Sequence, residues 1–194
     1  MNVQWPLIIE GRDISLRPLR LRDRGVWNQL RADNRAWLAP WEATTPPLHS
    51  LEAPDLQPGG LPSYFQMIRS LNSEARSGRS FSFAIWHQER LIGQISLGGV
   101  IYGAMRAGHI GYWIDRNYAN RGYTTAAVEL LSEYAFSRLL LHRIEINLRP
   151  ENGASRRVAQ KAGYIFEGER PRYLHIDGDW RDHIAFVKEN PSNK

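Results

Sequence analysis

Hydrophobic and polar residues alternate with a period of two in several short stretches of the chain, a pattern typical of half-buried strands. Ile14 and Leu16 alternate with polar neighbours, and Pro18 ends this first run. Alternation over 81–85, a polar turn and an apolar run over 91–100 predict a hairpin. Further strands are predicted at 109–115, 144–148, 164–167, 172–176 and 180–188, the last two joined by a tight turn at Asp177-Gly178.

Four other segments repeat their apolar residues at helical spacing. The first follows Asp23, a residue type that caps helix N termini, and the second ends near Ser77-Gly78. The third follows Gly122, and a short fourth helix starts at Asn152 and ends at Gly163. The apolar positions on which these predictions depend are Val26, Trp27, Leu30, Tyr64, Phe65, Ile68, Leu71, Ala127, Leu130, Leu131, Tyr134, Ala135, Val158, Ala159 and Ala162.

Residues 40–62 contain six prolines and the pair Gly59-Gly60, which predicts a long loop. A long loop inside a compact domain usually has a functional role. Around it the elements run strand, helices, three strands, helix, strand, helix, strands, without an internal repeat. This interleaving predicts an α/β (α+β) fold, and we expect a single domain over residues 1–194.

The chain has 194 residues, of which 42% are hydrophobic and 23% are charged, as expected for one globular domain. Cysteine is absent, which excludes a disulfide scaffold, a thiolate metal site and a cysteine nucleophile. The first eleven residues lack the basic start of a signal peptide, and no stretch approaches the ~18 unbroken apolar residues of a membrane span. We therefore expect a cytoplasmic protein with no membrane segment.

The formal net charge is +5, and all but three of the 25 basic residues are arginines. These residues are spread along the chain, so the charge does not require direct binding of nucleic acid. The charge is compatible with an anionic ligand or with a ribosomal neighbourhood.

The segment from 111 to 126 is the most informative for chemistry. A predicted strand runs through the turn Asn120-Arg121-Gly122 into a helix, and the free N–H groups and dipole at such a helix start bind phosphate. Gly122 lets a phosphate approach the backbone, Asn120 can cap the helix, and Arg121 can add charge. An ordinary strand-to-helix turn has the same pattern, so the segment alone leaves both interpretations open.

Eight short blocks occur in order along most of the chain. They are N-R-A-W-L-A-P-W-E (34–42), L-I-G-Q-I (91–95), I-G-Y-W-I (110–114), N-R-G-Y-T-T (120–125), H-R-I-E (142–145), N-G-A-S (152–155), K-A-G-Y (161–164) and Y-L-H-I-D-G-D-W-R-D-H (173–183). With these blocks the sequence resembles the GCN5-related N-acetyltransferases (GNAT), and within them the RimJ- and RimL-like ribosomal-protein N-terminal acetyltransferases. The first and last blocks are similar to RimJ-like members in particular.

The resemblance implies a central mixed, mostly antiparallel sheet with helices on both faces, splayed between the strands that end at Asp115 and Leu148. It also implies acetyl-CoA as cosubstrate, with no metal. The pantetheine arm is expected on the open edge of the first strand, and the diphosphate on the loop amides. The loop departs from the family pattern at Ala119, a Gln or Arg position, and at Thr124, a small-residue position. The implied cofactor-binding residues are Trp113, Ile114, Asp115, Arg121, Gly122, Tyr123, Thr124, Thr125, Ala126 and Asn152.

Acetyl transfer to an amine needs a neutral nucleophile, a donor for the tetrahedral oxyanion and a proton for the leaving thiolate. The resemblance assigns the last role to Ser155, and a backbone N–H near Trp113 or Ile114 is the expected oxyanion donor. Asn152 and Ser155 also have a structural interpretation, because Asn152 is a natural helix cap and Ser155 lies in the first helical turn.

The general base does not follow from the resemblance, because the glutamate that RimL-like relatives use aligns with Leu174. Glu42, at the start of the Pro-rich loop, is the preferred candidate, since it can attract the substrate ammonium or take its proton through water. The alternatives near the last hairpin are Tyr173, His175, Asp182 and His183.

The expected acceptor is the N-terminal amine of a ribosomal or other protein that begins with Ala or Ser. At pH 7 roughly a seventh of such amines are neutral, against a few in ten thousand lysine side chains. A site without an inherited general base therefore suits an α-amine better than a lysine. A small-molecule amine, a lysine or a non-catalytic CoA-binding module on the ribosome are the alternatives, and monomer and homodimer stay open. Trp37, Trp41, Tyr112 and Tyr173 are candidates for the walls of a peptide slot, although Trp37 and Trp41 equally suit packing beneath the loop.

Overall fold

The computed structural model describes residues 5–46 and 62–193. Eight strands in these residues form one sheet, in the order β1-β2-β3-β4-β5-β6-β8-β7. The strands are β1 (Ile9–Glu10), β2 (Ser15–Arg17), β3 (Phe81–His87), β4 (Arg90–Ile101), β5 (Ala107–Ile114), β6 (Arg143–Leu148), β7 (Ile165–Ile176) and β8 (Asp179–Glu189). The α-helices are α1 (Arg24–Asp33), α2 (Arg35–Leu38), α3 (Tyr64–Arg76), α4 (Tyr123–Ser137) and α5 (Gly153–Lys161).

The sheet divides between β5 and β6. These two strands are parallel, and every other neighbouring pair in the described sheet is antiparallel. Their pairing covers only residues 107–109 of β5 and 143–145 of β6. Farther along, β5 stays beside β4 and β6 stays beside β8, so a gap opens between them. The predicted mixed, mostly antiparallel and splayed sheet is confirmed.

Helices cover both faces of the sheet, as predicted. Neighbouring residues of a strand point to opposite faces, so Phe83 and Ala84 of β3 enter two different cores. The larger core holds Phe83 together with Leu131 of α4 and residues of α5. The smaller core holds Ala84 together with Tyr64 of α3, and Trp27 of α1 packs against it. Helices α4 and α5 therefore lie on one face, and α1 and α3 on the other.

The predicted strands 164–167 and 172–176 were wrong as separate elements, because both belong to β7. The register against β8 shifts between Arg170 and Leu174, and Arg172 within this bulge has φ 49°. A bulge takes up extra residues while the strand stays paired on both sides. The chain therefore continues as one long strand where the sequence pattern indicates a break.

Two helix predictions differ from the structure in detail. Val26 and Phe65 were predicted on buried faces but are 54% and 57% exposed, because α1 and α3 bury narrower stripes than their apolar spacing indicates. The Asp23 carboxylate accepts the Arg20 N–H at 2.8 Å and the Arg17 guanidinium. Asp23 is the N-cap residue of α1 as predicted, but its carboxylate closes the turn before the helix and makes no cap hydrogen bond to it.

The last hairpin turns at Asp177 and Gly178, with φ values of 48° and 82°, as the Asp-Gly pair predicts. Of the predicted Pro-rich loop 40–62, residues 47–61 lie outside the described residues. Its first two residues belong to a short 3-10 helix (Ala39–Trp41), and Ala43 pairs with Ile176. None of the helices in 5–46 and 62–193 has the length and apolar character needed to cross a bilayer.

Candidate active site

The gap between β5 and β6 exposes main-chain groups of β5. The Asp115 N–H donates to β4 at 2.8 Å, and the antiparallel ladder then alternates residue by residue. Trp113 thus bonds to β4, while the N–H and C=O groups of Tyr112 and Ile114 point into the gap. In agreement with this direction, the indole Nε1 of Trp37 donates to the Ile114 carbonyl at 3.2 Å.

A cavity of about 810 Å³ fills the gap and reaches both faces of the sheet. Tyr112 points to the face that carries α5, where its hydroxyl bonds to Ser155. Trp113 points to the opposite face, because its cross-strand partner Gln94 accepts a hydrogen bond from Trp27 of α1. Two ligands that approach from opposite faces of the sheet would therefore meet at β5.

The turn before α4 leaves an open main-chain surface at the cavity. Asn120 and Gly122 are left-handed, with φ values of 61° and 86°, and Gly122 is the N-cap without any side-chain cap. A Cβ built on Gly122 would meet no atom within 4 Å. The first amides of α4, at Tyr123, Thr124 and Thr125, have no intrahelical acceptor and are available to an anion. The expected cap by Asn120 was wrong.

Six predicted cofactor residues line the cavity: Trp113, Ile114, Gly122, Thr124, Thr125 and Asn152. The other four do not bring their side chains into it. Asp115 is 7% exposed, and its side chain accepts the Asn117 N–H. Tyr123 points its hydroxyl at His87. The Ala126 N–H donates to the Gly122 carbonyl. The exposed Arg121 guanidinium lies 5.5 Å from the centre of the Tyr118 ring.

Asn152, Ser155 and Tyr112 form a hydrogen-bonded group where α5 begins. The Asn152 side chain accepts the Ser155 N–H at 2.9 Å, so it caps α5 as its structural interpretation predicts. The Ser155 Oγ lies 2.8 Å from the Tyr112 hydroxyl. Burial raises the pKa of Tyr112 to about 12, against the opposing effect of its bond to Ser155. Sequence reasoning treated Tyr112 only as a slot wall, although strand alternation in I-G-Y-W-I places it on the α5 face.

Arg31 and Glu42 form an ion pair in the wall opposite Ser155. The Arg31 guanidinium also lies 5.1 Å from the centre of the Trp113 ring. Burial lowers the pKa of Arg31 from its usual range. Among the candidate bases predicted from the sequence, Glu42 lines the cavity of the described structure, but its carboxylate is already paired with the Arg31 guanidinium.

Residues 42–44, here called the clasp, tie this wall to the β7–β8 hairpin. Ala43 pairs with Ile176, and the Thr44 N–H donates to the His175 carbonyl at 2.9 Å. The Thr44 Oγ1 lies 2.7 Å from His175 Nδ1, and the Asp177 N–H donates to the Glu42 carbonyl at 3.3 Å. The hairpin thus fixes Glu42 through main-chain bonds.

The remaining candidate bases lie outside the lining of this cavity. The Tyr173 hydroxyl accepts a hydrogen bond from Arg170 at 3.2 Å, and the Asp182 carboxylate accepts the Arg172 N–H. His183 is 3% exposed, and burial lowers its pKa. His175 is held by the clasp, and Leu174, at the position of the RimL-like glutamate, has no ionisable group. Within residues 5–46 and 62–193, no group of three or more acidic or histidine side chains is arranged to hold a metal ion.

Comparison with known proteins identifies the family. Residues 13–165 match the model of the acetyltransferase (GNAT) domain. The chain belongs to the GNAT family of acetyltransferases. It is 31% identical to YjcK of Bacillus subtilis (strain 168), named a probable N-acetyltransferase, over 96% of this chain and 99% of that protein. It is 28% identical to the ribosomal protein uS5-alanine N-acetyltransferase of Escherichia coli (strain K12), over 88% and 86%.

A solved structure agrees with this assignment. RimJ of Mycobacterium smegmatis, in complex with CoA-disulfide, superposes with a TM-score of 0.85 at 33% identity, over 97% of this chain and 90% of that one. As a GNAT enzyme the chain is an acetyl-CoA-dependent N-acetyltransferase, and the splayed sheet belongs to that fold. The open edge of β5 and the free amides of α4 suit a long ligand with one polar arm and one anionic end.

Proposed function

We propose that this GNAT enzyme acetylates the N-terminal α-amine of a protein that begins with Ala or Ser, a ribosomal protein above all. The observation that carries this proposal is the extent of the similarity to RimJ. It covers 97% of this chain and 90% of that one. The Escherichia coli relative is named for its action on alanine of ribosomal protein uS5, which supports the same acceptor class.

In this proposal acetyl-CoA lies in the gap with its pantetheine arm along Trp113, Ile114 and Asp115. The Ile114 N–H, which points into the gap, serves as the oxyanion donor. Asn152 adds a polar contact to the arm from the start of α5. The diphosphate rests on the main chain of the turn and first helical residues, Arg121, Gly122, Tyr123, Thr124 and Thr125. Ala126 follows them in α4, with its own N–H donated to Gly122.

The neutral amine nitrogen attacks the acetyl carbon and forms the N–C bond directly, since the chain has no cysteine to carry the acetyl group. The C–S bond breaks with its electron pair on sulfur. The nitrogen loses one proton and the sulfur gains one. In our proposal Ser155 acts on the sulfur side, as general acid or hydrogen-bond donor, because its hydroxyl lines the cavity at the start of α5.

Glu42 acts on the amine side in the same proposal. Its carboxylate attracts the substrate ammonium and takes a proton through water, while Arg31 and the clasp hold it in place. An α-amine suits this arrangement, because roughly a seventh of it is already neutral at pH 7. Tyr173, exposed on β7 with its hydroxyl held by Arg170, is the second candidate for this role.

The test is thiol release from acetyl-CoA in the presence of short peptides that begin with Ala or Ser. The matched controls are the same peptides with a blocked N terminus and a free lysine, and a panel of small amines. We expect turnover with the free N terminus and a product heavier by the mass of one acetyl group. Turnover only on lysine or a small amine, or CoA binding without any turnover, would overturn the proposed acceptor.

The partner and the location extend the same proposal. We infer that the enzyme works in the cytoplasm and meets its substrate on or near the ribosome. Cosedimentation of the protein with ribosomes at low and moderate salt tests this, since a charge-driven contact weakens with salt. A monomer and a homodimer both fit, because one chain supplies every residue placed in the site.

A further inference from the structure

We propose that Tyr112 is a positioning residue for acetyl transfer, which it assists by donating a hydrogen bond to the Ser155 hydroxyl while that hydroxyl donates to the departing sulfur. The inference rests on the proposed role of Ser155 and adds a residue to the same site. Tyr112 and Ser155 are 43 residues apart in sequence, and the splay of β5 from β6 lets α5 bring them together.

The geometry gives the Tyr112 hydroxyl two acceptors on one residue. Its oxygen lies 2.8 Å from the Ser155 Oγ and 3.3 Å from the Ser155 carbonyl oxygen. The tyrosine proton can point to either acceptor. When it points to the carbonyl, the Ser155 proton is directed at the tyrosine oxygen. When it points to the Ser155 Oγ, the Ser155 proton is free to point into the cavity.

Negative charge on the sulfur favours the second arrangement. A developing thiolate in the cavity accepts the Ser155 proton as a hydrogen bond, and Ser155 Oγ then needs a donor of its own. Tyr112 is that donor, and a chain of two hydrogen bonds in a buried site is stronger than either bond alone. The Ser155 N–H is already held by the Asn152 side chain at 2.9 Å, so the serine backbone stays fixed while its hydroxyl turns.

The acidity of the tyrosine separates positioning from proton transfer. Burial raises the pKa of Tyr112 to about 12, whereas an ordinary thiol has a pKa of about 8.5. A thiolate is therefore too weak a base to remove the tyrosine proton. By the same comparison it accepts only a hydrogen bond from the less acidic Ser155 hydroxyl, and the proton that the sulfur finally gains comes from water. Tyr112 keeps its proton throughout the reaction and acts through Ser155.

The experiment is a double-mutant cycle with Tyr112→Phe and Ser155→Ala in the full chain. Phenylalanine keeps the ring in place and removes only the hydroxyl. We expect Tyr112→Phe to lower kcat about tenfold, the value of one hydrogen bond, and to leave the Kd of CoA within twofold. In the Ser155→Ala background the same change should have no further effect on kcat, because Tyr112 acts only through that hydroxyl.

Tyr164→Phe is the matched control. The Tyr164 hydroxyl lies 2.7 Å from Ser132 Oγ in the larger core, so this variant removes the same kind of buried Tyr–Ser bond. It should lower the melting temperature and keep the wild-type kcat. Unchanged kcat in Tyr112→Phe, or an equal loss in both Ser155 backgrounds, would overturn the inference.

The cycle stays informative if the proposed acceptor is wrong. Turnover by the wild-type enzyme tests the acceptor. The ratio of the kcat of Tyr112→Phe to the wild-type kcat tests Tyr112, and it can be measured with any amine that is turned over. If no amine is turned over, the ratio is measured in acceptor-free hydrolysis of acetyl-CoA, which breaks the same C–S bond. A ratio near one in that reaction likewise contradicts the role of Tyr112.

Discussion

The indole nitrogen of Trp37 donates a hydrogen bond of 3.2 Å to the carbonyl oxygen of Ile114, on the open edge of β5. The proposed function places the pantetheine arm on this same edge. The indole and the cofactor therefore compete for one main-chain acceptor.

Trp37→Phe removes this competition and keeps an aromatic ring over the site. We expect CoA to bind roughly threefold more tightly, because the variant loses one hydrogen bond that competes for the Ile114 carbonyl. Isothermal titration calorimetry measures the Kd. Trp41→Phe is the control, because Trp41 faces Arg149 and has no bond to β5, and its CoA affinity should match wild type. Weaker binding by Trp37→Phe would mean that the indole contacts the cofactor itself.

Glu42→Gln keeps the shape of the side chain and removes its charge. We expect the KM for an Ala-peptide to rise about tenfold and the activity profile between pH 6 and 9 to move to higher pH, since the amine must then lose its proton unaided. Both partners of the Arg31–Glu42 pair are partly exposed, so stability should change by less than about 1 kcal/mol.

The control for this substitution is Glu74→Gln, which breaks a surface ion pair with Arg79 at the C-terminal end of α3, outside the lining of the cavity. It should leave the KM and the pH profile unchanged. A wild-type profile in Glu42→Gln would exclude Glu42 from the reaction and leave Tyr173 as the candidate to test.

Gly122→Ala places a methyl group at the proposed diphosphate surface. The backbone has φ 86°, so an alanine there should cost about 1 kcal/mol of unfolding free energy. We expect CoA binding to weaken at least tenfold, because the methyl group blocks close approach to the amides. Gly103→Ala is matched in strain, with φ 76° and open space around it, but should leave CoA binding intact. Equal CoA affinity in the two variants would place the diphosphate elsewhere.

Asn152 has two assigned roles that one pair of variants separates. Asn152→Ala removes the cap of α5 and should lower the unfolding free energy by about 1 kcal/mol. Asn152→Ser restores a capping oxygen and should recover the stability measured by urea denaturation. If Asn152 also contacts the pantetheine arm, CoA affinity stays lowered in the serine variant. Full recovery of both quantities would limit Asn152 to its structural role.

Local features of this fold follow from the sequence. The turn at Asp177 and Gly178, the alternation in β3 and the strand-to-helix turn at Gly122 each depend on residues close together in the chain. The splay of the sheet and the use of acetyl-CoA came instead from the family resemblance, which the structure and the comparisons confirm.

The long-range contacts did not follow from the sequence. Hydrophobic spacing shows which face of an element is buried, but it does not show which residue lies opposite. The bond between Tyr112 and Ser155 and the pair of Ala43 with Ile176 join segments 43 and 133 residues apart. The exposure of Val26 was missed for the same reason, since the width of the buried stripe depends on the strands beneath α1.

The consecutive residues Tyr112 and Trp113 line one cavity from opposite faces of β5, and this has a kinetic consequence. In the proposed function, a donor held on the Tyr112 side and an acceptor entering on the Trp113 side occupy the protein at the same time and meet in the gap beside β5. Initial rates at varied concentrations of both substrates should therefore give intersecting lines in a double-reciprocal plot. A single molecule that joins CoA to a peptide N terminus should bind more tightly than either part alone.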